Sequence, residues 1–255
     1  MNVERTIEAM WNSHRAGNHF PEEWRGKIGL EDAYRVQQGL LGRHVAEGSS
    51  QSGWKVGLTA DAVRDLFGAK APVFGYLLAG NAYASSHNFD FDALPPPSVE
   101  SEVIMTLGQD LAGPGVTAEQ ARAAVKEIAP AFEIIANRGG DLRTDLSLGL
   151  VDNVMQAAYV TGEARAPAAD LDYGEIRVEV EINGKLAENV LGWEAMDNPL
   201  DSLAWLANAV ADYGLSLKAG QQVLTGSFTK PIPVSKGDRF ESKFSGLGSV
   251  SATFA

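Results

Sequence analysis

The sequence predicts an α+β fold with a mixed or antiparallel, barrel-like β core, flanking helices and a helical N-terminal segment. Three observations lead there. Helical periodicity is concentrated near the N-terminus. The C-terminal third is a series of short strand-like runs separated by Gly, Pro and Lys clusters. Between them, strands and helices do not alternate as βαβ units, which argues against a Rossmann-type parallel sheet. At 255 residues, 45% hydrophobic and 21% charged, the chain reads as one globular domain. Residues 1–50 form its helical N-terminal cap and residues 51–255 its β-rich core.

Ile7, Met10 and Trp11, then Ala33, Val36, Leu40, Leu41 and Val45, follow the 3.6-residue period. Acidic Glu31 and Asp32 stand where the second helix begins and its dipole favours them. Residues 48–53 read as a turn, followed by a Gly-bounded strand at Trp54–Leu58. Thr59 is expected to cap a helix beginning over 59–63. Residues 80–98 are loop-rich and end in Leu94-Pro-Pro-Pro-Ser98, an extended approach to a strand over Val99–Leu107. Val116–Ile128 reads as an amphipathic helix capped by Thr117, and Ala129–Ile135 as a strand. Leu148–Gly162 shows no clean period. Ile176–Ile182 alternates as a half-buried strand ending in the hairpin signal Asn183-Gly184. Pro199–Tyr213 is a helix, and Gln222–Thr225, Asp238–Phe244 and Ser249–Phe254 are strands.

Composition narrows the chemistry. There is no cysteine, so thiol nucleophiles, disulfides and thiolate metal sites are excluded. Formal net charge is -12, with no basic stripe, which speaks against nucleic-acid partners. No segment approaches the length of a membrane span, and the charged N-terminus has no apolar signal region, so a cytoplasmic protein is expected. P-loop, G-x-S-x-G and H-E-x-x-H motifs are absent. The histidines at 14, 19, 44 and 87 have no ligand-like spacing; His87, in a loop, is the one to watch.

The strongest local feature is Val99-Glu100-Ser101-Glu102-Val103. On a strand, Glu100 and Glu102 project from the same face, where two carboxylates repel unless a cation lies between them. The five residues also fit a solvent-facing strand edge with ordinary surface glutamates. Glu133, alone in the apolar run Ala131-Phe132-Glu133-Ile134-Ile135, shifts the balance, because an acid there is rarely buried unless paired or ligating. Three carboxylates suit octahedral Mg²⁺ or Mn²⁺. Lys55, in Gly53-Trp-Lys-Val-Gly-Leu-Thr59, fits a buried acid or base with a lowered pKa, or a lysine that snorkels to the surface. Asp152-Asn153 fits a turn as well as a site. In Gly226-Ser-Phe-Thr-Lys-Pro231, Gly226 allows close backbone approach to a ligand, and Ser227 and Thr229 can donate hydrogen bonds.

In this order, Gly-Trp-Lys-Val-Gly-Leu-Thr (53–59), Val-Glu-Ser-Glu (99–102), Phe-Glu-Ile (132–134), Asp-Asn (152–153), Leu-Ala-Trp-Leu-Ala-Asn (203–208), Gly-Ser-Phe-Thr-Lys-Pro (226–231) and Gly-Leu-Gly-Ser-Val (246–250) resemble one family along nearly the whole chain. It is the 2-keto-4-pentenoate hydratase family of the fumarylacetoacetate hydrolase (FAH) superfamily, which also contains 2-oxohept-3-ene-1,7-dioate hydratase and 4-oxalocrotonate decarboxylase. The resemblance implies an FAH-like β-rich core, a homo-oligomer, and Mg²⁺ or Mn²⁺ held by Glu100, Glu102 and Glu133. It puts the active-site lysine at Lys55; Lys55, Asp152, Asn153, Ser227 and Thr229 are the expected substrate contacts. The implied reaction is hydration of a 2-hydroxy-2,4-dienoate to a 4-hydroxy-2-oxo acid in the meta-cleavage breakdown of aromatic compounds. The 226–231 segment resembles that of the dioate hydratase more than that of the decarboxylase. The alternatives are decarboxylation of an oxalocrotonate, carbon–carbon bond hydrolysis, and non-catalytic 2-oxo acid binding. Two departures bear on them. Leu78-Ala79-Gly80-Asn81 lacks the acid that family members often carry there, and Asp197-Asn198-Pro199 replaces Gly-His-Pro.

Overall fold

The computed structural model describes residues 1–195 and 198–255; of the Asp197-Asn198-Pro199 departure, Asp197 therefore lies outside the described residues. The N-terminal half contains helices α1 (Val3–Arg15) and α2 (Leu30–Ala46), strand β1 (Gln51–Gly57), helix α3 (Asp61–Phe67) and strands β2 (Val73–Leu78), β3 (Ala82–Ala84), β4 (His87–Phe89) and β5 (Pro97–Leu107). Helix α4 (Ala118–Ala124), strand β6 (Val125–Ala136), helix α5 (Leu146–Val151) and strands β7 (Gln156–Thr161), β8 (Arg177–Ile182) and β9 (Lys185–Leu191) follow. The chain ends with helices α6 (Gly192–Ala195) and α7 (Pro199–Ala211) and strands β10 (Gln222–Ser227), β11 (Ile232–Pro233), β12 (Arg239–Phe244) and β13 (Gly248–Phe254).

The α+β class stands, but neither sheet closes into a barrel. One sheet has eight strands in the order β2-β1-β10-β5-β6-β7-β3, with β11 also on β5; the other has five, β4-β13-β12-β8-β9. The larger sheet curls until β2 and the approach to β7 meet, and there side chains replace a strand ladder. The Asn153 amide accepts from Tyr76 N–H at 2.8 Å and donates to Tyr76 C=O at 2.9 Å. Gln37 of α2 donates to Phe74 C=O at 3.1 Å and to Leu150 C=O at 2.8 Å. The otherwise unpaired edge of β2 is thereby satisfied.

Register divides the curled sheet into two faces. Glu100 stands opposite Glu133, Ile104 opposite Ala129 and Leu224, and Lys55 opposite Leu224, so these residues point inward. Leu77, Ile104, Ala129, Ala131, Tyr159 and Leu224 fill the interior as a small apolar floor. The outward set, including Trp54, Val103, Met105 and Phe132, packs on α7 and on the second sheet in the main core. Helices α1 and α2 form a separate cluster with α5 through Ile7, Met10, Val36, Leu40 and Leu150. Gly39 makes their close approach possible, since a Cβ there would lie 2.2 Å from Ile7 Cδ1.

Several local expectations change. Helix α3 starts at Asp61 with Ala60 at its N-cap and no side-chain cap; Thr59 instead lies buried beside Gly226. The helix expected over 116–128 is only α4. Thr117 does cap it, in a reciprocal pair with Gln120, but Val125–Ile128 pair with β5 as strand. Burial against β5 outweighs the helical period there. The stretch without a clean period, 148–162, divides into α5, three left-handed residues (Asn153, Val154, Met155; φ 55°, 54° and 61°) and β7. Asn183-Gly184 makes the expected hairpin turn, with φ of 53° and 74°. Asn198 caps α7, accepting from Leu200 N–H at 3.0 Å.

Candidate metal centre

Strand β5 turns Glu100 and Glu102 to the inside of the curled sheet, and β6 brings Glu133 opposite Glu100. The three offer carboxylate oxygens that all lie within 4.8 Å of one another. Glu102 and Glu133 are each 1% exposed, whereas Glu100 is half-buried and faces a cleft. Lys55 enters from β1, 3% exposed. Its Nζ lies 3.1 Å from Glu133 Oε1 but hydrogen bonds to Oε2, at 3.4 Å. Oε1 is left buried without a hydrogen-bond partner among the described residues.

One ammonium thus faces three buried carboxylates. Burial, then repulsion from Glu133, pushes the Glu100 carboxyl up to about 8 against the opposing pull of Lys55. Burial also raises Glu102, with Glu133 and Glu100 adding to it while the Gly226 N–H and Lys55 oppose it. Burial disfavours the Lys55 charge, but Glu133, Glu100 and Glu102 outweigh it and hold the ammonium above its ordinary value. The lowered lysine pKa expected from its apolar neighbours is thereby reversed, and the side chain does not snorkel to the surface. Excess negative charge over a single ammonium, all-oxygen donors and a buried Glu133 oxygen that takes no hydrogen bond fit a hard divalent cation.

The cleft above Lys55 and Glu100 has a volume of about 490 Å³. Helix α3, the segment 137–143 and the left-handed residues Val154 and Met155 contribute to its walls. Asp152, Asn153, Ser227 and Thr229 do not line it. Ser227 Oγ donates to Thr229 C=O at 2.6 Å, and Thr229 Oγ1 accepts from Ser101 N–H at 3.1 Å. Both brace the strand between Glu100 and Glu102. Gly226 N–H donates to Glu102 Oε2 at 3.0 Å, so close backbone approach at this glycine serves a glutamate. Asn153 is the clamp on β2.

Asp152 belongs to a second cavity of about 310 Å³ with His14, His19, Arg138 and Gln156. It pairs with His19 Nδ1 at 2.6 Å and with Arg138 Nη1 at 3.0 Å. The N-terminal histidines, which have no ligand-like spacing in sequence, are therefore the ones gathered around an acid. His87 is not in a loop: it lies on β4 and stacks on Tyr83 at 4.0 Å. A third hollow, about 460 Å³, has only Lys70 and Asp212 as charged lining residues among the described residues.

Fold and site together define an α+β enzyme scaffold with a buried acidic centre. The Fumarylacetoacetate (FAA) hydrolase C-terminal family matches residues 68–255, and the chain belongs to that family. The 2-hydroxyhexa-2,4-dienoate hydratase of Comamonas testosteroni is 33% identical over 227 residues, 88% of this chain and 86% of that protein. The 4-oxalocrotonate decarboxylase of Pseudomonas putida is 32% identical over 241 residues, 94% of this chain and 89% of its own. The solved structure of 4-oxalocrotonate decarboxylase from Pseudomonas putida G7, complexed with magnesium and adipate, superposes with a TM-score of 0.87 at 30% identity, covering 99% of this chain and 96% of that one.

Proposed function

We propose that this chain is a divalent-metal-dependent hydratase that converts a 2-hydroxy-2,4-dienoate and water to a 4-hydroxy-2-oxo acid in aromatic-compound breakdown. The observation that carries the reading is the inward cluster of Glu100, Glu102 and Glu133 with Lys55 at the floor of the cleft. Similarity to the Comamonas hydratase supports water addition as the outcome. Glu100, Glu102 and Glu133 would hold Mg²⁺ or Mn²⁺. When bound, such an ion supplies Lewis acidity toward the carboxylate and 2-oxygen of a 2-oxo acid. Lys55 keeps a proton at Nζ and can donate a hydrogen bond to a substrate oxygen reaching the floor. Ser227, Thr229 and Gly226 hold the β5 glutamates in place, and Asn153 fixes the Val154–Met155 wall through its bond to β2. Leu78–Asn81 carry no carboxylate, and Leu78 and Asn81 border the second cavity rather than the cleft.

Decarboxylation of an oxalocrotonate draws on the same electron sink and is the second reading, favoured by similarity to the decarboxylase. The Mg²⁺-loaded protein is incubated with 2-hydroxypenta-2,4-dienoate and with 2-oxo-3-hexenedioate while dienol absorbance and CO₂ are followed. Loss of dienol without CO₂ supports the hydratase, and CO₂ release supports the decarboxylase. Inertness toward both refutes the two readings. Among the described residues no helix is long and apolar enough to cross a membrane. A homo-oligomer in the cytoplasm accompanies the proposal and is tested by light scattering and cell fractionation.

A further inference from the structure

We infer that the cleft selects a dienoate whose far end is a neutral, apolar group and discriminates against a second carboxylate. This rests on the hydratase reading and names the substrate class within it. The acidic cluster and Lys55 define the head of the cleft, where the 2-oxo acid end is anchored. The rest of the wall is formed largely by Val63, Phe67, Ile135, Leu142, Val154 and Met155, joined by Asp141 and Arg143. Lys55 and Arg143 are the only cations among the described residues that line it.

Both cations already face an internal carboxylate. Lys55 lies at the head against Glu133. Arg143 is held by Asp141 through two parallel contacts, Nε to Oδ1 at 3.0 Å and Nη2 to Oδ2 at 2.9 Å. The backbone N–H of Arg143 also donates to Asp141 Oδ1, at 2.9 Å. The partners are two residues apart, so little chain entropy opposes the pairing. The Nε–Nη2 edge of the guanidinium already carries an internal carboxylate, and the pair is solvent-facing, 60% and 39% exposed, so only the Nη1 side is open to a substrate carboxylate. An acidic tail would have to share Arg143 with Asp141, which stays beside it as a repelling charge, or lie unpaired against apolar side chains. The net charge of -12 adds long-range repulsion. An alkyl tail meets none of these costs and gains from burial against the apolar wall.

Two unreactive analogues of equal chain length separate the cases, namely 2-oxohexanoate and 2-oxoadipate, titrated calorimetrically into the Mg²⁺-loaded protein. The expected result is binding of 2-oxohexanoate at least about tenfold tighter than 2-oxoadipate, the scale of discrimination that one pocket contact supports. Equal or tighter binding of 2-oxoadipate, with dienoate hydration intact, overturns the tail assignment and leaves the hydratase reading standing. Binding of neither analogue refutes the metal-anchored 2-oxo acid reading itself, and the tail assignment with it. Asp141→Asn provides the second arm. It keeps an oxygen for the Arg143 N–H but removes the carboxylate charge that neutralises the guanidinium and repels an acidic tail, and should shift the affinity ratio about tenfold toward 2-oxoadipate. An unchanged ratio in that variant means that Asp141 does not mask Arg143, and refutes the inference.

Discussion

Glu100 of β5 and Glu133 of β6 occupy directly opposing positions in an antiparallel ladder, a like-charge pairing that destabilises a sheet unless something resolves it. Lys55 resolves part of it and Glu102 adds to the conflict. The metal-free protein is therefore expected to have a particular pH dependence. The Glu100 carboxyl is raised to about 8 by burial and Glu133, so between its ordinary value of 4.5 and 8 the folded state binds more protons than the unfolded one. Stability is accordingly lost as pH rises through that window. Adding Mg²⁺ should remove the loss and release protons on binding, with apparent affinity increasing toward pH 8. Thermal unfolding with EDTA or Mg²⁺ from pH 5 to 9 checks this. A metal-free melting temperature independent of pH would count against the centre.

Glu102→Gln separates the metal role from a structural one. The amide oxygen can still accept the Gly226 N–H that Glu102 Oε2 accepts at 3.0 Å, and one buried charge disappears. The metal-free variant should be as stable as its parent or more so, by about 1 kcal/mol. Its Mg²⁺ affinity should fall by about 100-fold or more, and hydration with it. Calorimetric Mg²⁺ titration beside urea unfolding reads both. Retained affinity would remove Glu102 from the ligand set.

Asn153→Ala tests the seam of the curled sheet. It deletes both hydrogen bonds to Tyr76 and leaves a non-glycine, non-Asn residue at φ 55°. The expected loss is about 2–4 kcal/mol, from buried backbone groups left unpaired and from left-handed strain. Gly75 is the other half of the joint, since a Cβ there would stand 2.6 Å from Asn153 Oδ1. Gly75→Ala should therefore destabilise as well, and the double variant should cost less than the sum. Urea unfolding of the three variants measures the coupling; strict additivity would mean that the joint is not shared.

Much of the site is legible in sequence where its signal is local. The two-residue spacing of Glu100 and Glu102 gives their shared face directly, and Glu133 stands out because its neighbours are apolar. The protonation of Lys55 is not legible that way. Its neighbours Trp54 and Val56 suggest a depressed pKa, while the carboxylates that reverse it arrive from strands 45 to 78 residues away along the chain. Asp152-Asn153 reads as a turn, and the backbone does turn there, but both side chains have long-range partners: His19 and Arg138 for one, Tyr76 for the other. Val125–Ile128 continues a helical period and becomes strand because β5 needs a neighbour, a tertiary demand with no local signature.

His14 supplies a pH effect of opposite sign to that of Glu100. It borders the second cavity, with its Nε2 buried and unpartnered among the described residues. Burial first, then the neighbouring His19, lowers its pKa to about 4 from 6.5. Between those values the unfolded state binds the extra proton, so stability conferred by a neutral His14 is present above pH 6.5 and lost as pH falls toward 4. The full shift corresponds to about 3 kcal/mol. His14→Gln keeps a polar side chain of similar reach and cannot titrate, so its unfolding free energy should fall less steeply than the parent's between pH 6.5 and 4. Because the Glu100 effect acts in the opposite direction across part of this range, the comparison is variant against parent at each pH, both in EDTA. Parallel curves for the two proteins would show that His14 is not held neutral by its surroundings.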